Sequence, residues 1–227
     1  MRISSIIAAL FTVATMASAQ VKELKKSGIS AEEMLPKGWT LLASATEDIN
    51  HDYIPDLVLV ALPDNKENII TREDGYVKNM NEPVVAVYFG SGGVYHWWGS
   101  SIGIIEPESE FSSLDEISVS INAKGVVSIG YKMFYSAGGW DVPSHNFVYR
   151  YQKYDGMENL YLIGYDCKSL NRATLNEQTV SYNFLTHKKQ TVTKKDGAKV
   201  GKEKWEKIAN KELLEFGDNP LEYIGKF

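Results

Sequence analysis

Residues 47–62 read EDINHDYIPDLVLVAL. Two patterns meet there. Leu57–Leu62 is an uninterrupted apolar run, as expected for a strand buried on both faces. Ahead of it, Asp48, Asn50, Asp52 and Asp56 place oxygen-bearing side chains at every second position, then after one step of four. An oxygen-rich loop feeding a doubly buried strand predicts a strand–loop–strand unit and, with its surroundings, a β fold.

Outward from this unit, strand patterns dominate. Trp39–Ala45 is apolar and lies just before the loop. Pro63 to Met80 is a long polar excursion. Pro83–Phe89 and Gly93–Trp98 flank Gly90-Ser91-Gly92, a hairpin signal. Glu116–Ile121 and Val126–Phe134 flank Asn122–Gly125 in the same way. Phe147–Tyr154 and Leu160–Tyr165 flank Asp155-Gly156 with a longer loop, and Thr179–Leu185 and Gln190–Thr193 flank Thr186–Lys189. Within the polar lead-in over 20–38, Ser30 is placed to cap a short helix carrying Glu32 and Glu33 in its first turn and ending before Pro36. Trp205, Ile208, Ala209, Leu213 and Phe216 fall at helical spacing, which predicts an amphipathic helix over Lys202 to Phe216, ended by Gly217. The expected fold is mainly β: one antiparallel domain over 39–227, propeller-like or a sandwich or barrel fragment, with short N-terminal and amphipathic C-terminal helices.

The first residues read as a targeting signal. Arg2 precedes the mostly apolar Ile6–Met16, and Ala17-Ser18-Ala19 is a small-residue cleavage site. Residues 1–19 are therefore expected to be removed and the chain exported, to the periplasm or outside the cell. No later run is long and apolar enough to predict a membrane span. The formal charge of −5 makes nucleic acid a poor partner. Cys167 is the only cysteine, so no intramolecular disulfide forms, and it reads as a small buried residue rather than a reactive thiol.

The acidic loop has calcium chemistry, because calcium takes hard oxygen ligands that alternate side chains of a short loop supply. With Asp48 as position one, Asn50 is three, Asp52 five, the Ile54 carbonyl seven and Asp56 nine. Position six is Tyr53 rather than glycine and position twelve is Leu59 rather than glutamate, so this is not an EF-hand. The run DINHDYIPDLVLV resembles the FG-GAP or VCBS (integrin-α-type) calcium loops, which join two antiparallel strands. That resemblance implies a Ca²⁺ site with side-chain ligands Asp48, Asn50, Asp52 and Asp56 and the carbonyl of Ile54. His51 and Tyr53 depart from it, standing where glycine is common. The competing reading is an Asx-rich turn whose side chains bond their own backbone. The later runs LIGYDCKSLNRAT and YNFLTHKK resemble a group of small exported bacterial proteins that carry one such loop early and this ending late, with no assigned activity to carry over.

Three tryptophans form a candidate ligand platform. Trp97 and Trp98 are adjacent, so a strand sends them to opposite faces, and Trp140 follows Gly138-Gly139 in a loop. The competing role is β-forming cover for the sheet. His145 lies near Asp141 and Ser144, but sequence neighbours rarely form a triad. Glu106, Glu108 and Glu110, or Asp115 and Glu116, are candidate glycosidase carboxylates, though a solvated loop explains them more simply. The lysine-rich stretch from Lys188 to Lys211 reads as a solvated face able to steer an anionic partner. Together these features point to an exported, non-enzymatic binding module for a protein or glycan partner, with one calcium loop bracing a β-scaffold. The alternative is a carbohydrate-active hydrolase using the aromatic platform.

Overall fold

In a computed structural model that describes residues 23–227, the chain order is β1 (Ser27–Gly28), α1 (Ala31–Met34), β2 (Thr40–Glu47), β3 (Asp56–Leu62), β4 (Ile69–Thr71), β5 (Val77–Asn79), β6 (Val84–Ser91), β7 (Val94–Ser101), β8 (Ser112–Ile121), β9 (Val126–Tyr135), β10 (Asp141–Tyr154), β11 (Met157–Asn171), β12 (Glu177–Asn183), β13 (Lys188–Lys194), β14 (Lys202–Lys207) and α2 (Pro220–Ile224). The expected leader over 1–19 lies outside the described residues.

Two antiparallel sheets dominate. The smaller runs β1-β7-β6-β3-β2, and the larger is a meander in the order β14-β13-β12-β11-β10-β9-β8. One of the sheets curls into a half-barrel. A separate hairpin pairs β4 with β5. The fold is thus mainly β with few short helices, as the strand patterns require.

The central position of β3 explains its composition. It lies between β2 and β6, and all its residues except Leu62 are buried. Val58 and Val60 face the large sheet and join a core with Ile129, Phe147, Tyr149 and Leu162. Leu57, Leu59 and Ala61 face the other way, against Leu24, Ala31 and Met34. The described part of the lead-in, residues 23–38, is therefore more than a polar segment, because it covers the second face of the small sheet. Tyr88 fastens it, its hydroxyl donating to the Lys25 carbonyl at 3.1 Å. Ser30 caps α1 by accepting the Glu33 N–H, and Glu33 reaches back to accept the Ile29 N–H at 2.8 Å.

All four expected hairpins form, two of them with tighter turns than their spacing suggests. Asp155 and Gly156, both at positive φ, make a two-residue turn between Tyr154 and Met157, so Met157–Asn159 belongs to β11 rather than to a loop. Gly92 and Gly93 turn β6 into β7 one residue later than expected. The polar excursion over 63–80 contains the β4–β5 hairpin, pinned by buried Lys78, whose ammonium donates to the Ser109 and Ser112 carbonyls.

The C-terminal segment corrects the helix expected over Lys202 to Phe216. Lys202–Lys207 is strand β14, paired with β13 at the sheet edge, and all six residues are exposed. Ile208 and Leu213 are buried in the core without a helix between them. The only helix in this region is α2, capped by Asn219, whose Oδ1 accepts the Leu221 and Glu222 N–H groups.

Candidate functional site

The β2–β3 loop is a closed net of side chain to backbone bonds. Asp48 accepts the His51 N–H at 2.7 Å and the Tyr53 N–H at 2.9 Å. Asn50 accepts the Asp52 N–H at 3.0 Å and donates its amide to the Asp52 carboxylate at 3.1 Å. Asp52 accepts the Ile54 N–H at 2.8 Å. The competing Asx-turn reading therefore describes the local bonding as it stands. His51 and Tyr53 have φ of 66° and 67°. These are the two places where the resembling loops commonly have glycine, and the left-handed backbone there gives the physical reason.

Asp56 differs from its three companions. It is fully buried, and its two carboxylate oxygens accept the Ile49 N–H at 2.8 Å and the Gly90 N–H at 2.9 Å. Its pKa is nevertheless pushed above the ordinary 3.8, because desolvation outweighs those bonds, and the nearby Asp52 charge adds to the rise. Two glycines let the loop sit this close to the rest of the fold. A Cβ on Gly90 would lie 2.2 Å from the Pro55 carbonyl, and one on Gly125, in the β8–β9 turn, would lie 2.7 Å from the Ile49 carbonyl. Gly90 belongs to the small sheet and Gly125 to the large one, so the loop bridges the two.

By chemistry, three carboxylates and an amide are oxygen ligands of the kind calcium takes, and all four side chains bond within or beneath one short loop. A dication there would offset both the Asp52–Asp56 repulsion and the desolvation of Asp56. Among the described residues no three His, Cys, Asp or Glu side chains converge as a metal-holding group, and Asn50 presents its NH₂ rather than its carbonyl to Asp52.

The three tryptophans are not brought together. Trp97 is partly exposed on β7, with the Lys26 ammonium 3.5 Å from its ring centre. Trp98 points to the other face and packs with Phe89, Tyr151 and Phe216. Trp140 precedes β10, exposed, with the Arg172 guanidinium 5.8 Å from its ring. Tyr151 lies eleven residues further along the same strand, roughly 30 Å away. The candidate carboxylates are also dispersed. Glu106 accepts from the Tyr131 hydroxyl, Glu108 accepts the Leu114 N–H, and Glu116 pairs with Lys132.

The strands do assemble a polar cluster that sequence reading passed over. Tyr131, His145 and Cys167 are directly opposite one another on β9, β10 and β11. His145 stacks on Tyr131 with ring centres 4.7 Å apart, and its Nδ1 bonds the Tyr165 hydroxyl at 2.8 Å. Burial lowers the His145 pKa and raises those of Cys167 and Tyr165, so each group is held neutral. Ser144, one residue from His145, points to the opposite face, and Asp141 bonds Asn171, so no triad exists here. The period-two alternation of Tyr165 with Cys167 was the signal for this facing.

No family model, curated protein or solved structure matches the chain. Among the described residues no helix is long and apolar enough to cross a membrane.

Proposed function

We propose that this chain is an exported, non-enzymatic binding module in which the Asp48–Asp56 loop holds one calcium ion. The observation that carries the reading is a fully buried carboxylate, Asp56, closing a loop in which Asp48, Asn50 and Asp52 turn their oxygens onto the same short backbone. The resemblance of DINHDYIPDLVLV to integrin-α-type loops supports the same conclusion. So does the expected leader, since exported modules meet calcium at concentrations that satisfy weak sites, with Kd on the order of 10⁻⁴–10⁻³ M. Asp48, Asn50, Asp52 and Asp56 would hold the ion through side chains and Ile54 through its carbonyl. The ion supplies charge neutralisation, and the loop passes that rigidity to both sheets through Gly90 and Gly125.

Thermal unfolding with and without calcium tests this. At a calcium concentration about 100-fold above Kd, stability rises by about 2.7 kcal/mol, which for a chain of this size is several degrees in Tm. Magnesium gives a smaller shift, because it prefers six-coordinate sites that keep water. Asp52→Asn, at an exposed position, abolishes the calcium shift while leaving the metal-free protein folded. An unchanged Tm in about 100 mM calcium, roughly 100-fold above the weakest Kd of that range, sinks the loop as a metal site.

A further inference from the structure

The outer face of the large sheet carries a groove of 540 Å³ that none of the candidate calcium ligands, platform tryptophans or carboxylates lines. Its floor is Gly164 and Val148, where the missing side chain of Gly164 leaves a depression. Trp205 of β14 forms one wall and is 59% exposed. This ring covers no core. Its cross-strand partner is Gln190, and the other residues of β14 are lysine or glutamate. A tryptophan so placed leaves a large apolar face in water, a cost that β-propensity alone does not offset.

The rest of the lining is polar. Arg150 and Lys188 are its cations and Asp166 its one acid; Asn183 Oδ1 accepts the Thr186 N–H and Gln190 Nε2 donates to Glu203, so Asn183 offers its NH₂ and Gln190 its carbonyl oxygen. Trp205, Gln190 and Asp166 stand in one cross-strand row, Ser181 between the last two. Four neighbouring strands give that row a span of roughly 14 Å. Around it, the positions of β13 and β14 that share the Trp205 face add Lys194 and Lys207 against one acid, Glu203, within a chain of net charge −5.

We propose that this groove binds an acidic polysaccharide. A flat aromatic wall takes the C–H face of a sugar ring, the lining amides of Asn183 and Gln190 take its hydroxyls, and Arg150 with Lys188 pairs its carboxylates. Charge complementarity selects the acidic glycan over a neutral one, and the aromatic wall selects a glycan over a bare polyanion. The inference rests on reading the chain as a binding module, and it names the partner class.

The test is electrophoresis of the full chain in native gels containing polygalacturonate or, as the neutral comparison, hydroxyethyl cellulose, with EDTA throughout. Polygalacturonate retards the wild-type protein and hydroxyethyl cellulose does not. Trp205→Ala weakens retardation about tenfold, Trp205→Phe recovers part of it, and Arg150→Gln with Lys188→Gln removes it. Raising NaCl from about 50 mM to about 500 mM also weakens it. Wild-type protein that runs freely through polygalacturonate overturns the proposal. So does a Trp205→Ala variant, melting like wild type, that is retarded equally. Equal affinity for a duplex DNA oligonucleotide overturns it as well, since that marks a bare cationic face. The calcium melting shift on the same sample separates the two readings: a shift without retardation sinks the groove alone, and retardation without a shift sinks the calcium loop alone.

Discussion

The carboxylate of Asp56, at the start of β3, accepts the backbone N–H of Gly90, near the end of β6, at 2.9 Å. Its other oxygen holds the Ile49 N–H at 2.8 Å. One buried side chain thus fastens the loop to itself and to the neighbouring strand. Asp56→Ala strands both donors away from water and costs about 2–5 kcal/mol of stability, read from urea unfolding. Asp56→Asn keeps one acceptor and costs less. Gly90→Ala drives a Cβ into the Pro55 carbonyl and lowers soluble yield or Tm sharply, although β6 elsewhere accepts β-branched residues.

Tyr53 holds a left-handed backbone with a side chain that is 95% exposed. Glycine there relieves the strain and removes no packing. Tyr53→Gly therefore gains up to about 1 kcal/mol after glycine's greater unfolded-state entropy is subtracted. Chemical denaturation checks the gain. Calcium titration followed by melting shows tighter binding in the same variant, because the loop is closer to the geometry that ligation needs.

Tyr149 is completely buried, and its hydroxyl has no hydrogen-bond partner. Phe216 packs edge-on against its ring, so the aromatic body is well used and only the oxygen is misplaced. Tyr149→Phe removes an unsatisfied group and raises stability by about 1 kcal/mol. A loss of stability would show that the hydroxyl has a bound water as its partner.

His145 makes stability depend on pH. Burial lowers its folded pKa below the ordinary 6.5, and the Glu106 charge opposes this only in part. The unfolded chain then takes up the proton first, so the stability held above pH 6.5 declines as pH falls through the folded value. Tyr131, Tyr165 and Cys167 face the ring and are neutral in this range. Asp56 acts in the opposite sense, since its raised pKa favours the folded state as acid is added, but from the carboxylate range upward. Unfolding free energy measured just below pH 6.5 isolates the histidine. His145→Phe flattens the slope there.

Strands that separate core from solvent were legible. Val126–Tyr135 alternates faces, and Leu57–Ala61 is apolar throughout because α1 and the large sheet cover its two sides. Turn glycines marked the hairpins. The misread helix over Lys202 to Phe216 has the converse cause. Both faces of β14 meet water, so its residues carry no period-two signal, while Ile208, Leu213 and Phe216 reach the core from irregular backbone and mimic a helical stripe. That error hid Trp205, which was assigned to a buried face. Its real signal was a single aromatic residue within a wholly charged run. At the acidic loop the oxygen spacing located Asp48, Asn50, Asp52 and Asp56, but the reach of Asp56 to Gly90 depends on strand order, which no local pattern states.

The edge formed by β14 also bears on self-association. A seven-stranded sheet that ends in an open strand offers a row of unpaired backbone groups on which another molecule's strand can template. Lys202, Glu203, Lys204, Glu206 and Lys207 put a charge at nearly every position of that row. Any second copy approaching in register brings like charges face to face. The composition that disguised this segment as something other than a strand is also a charge barrier to edge-to-edge growth of the sheet.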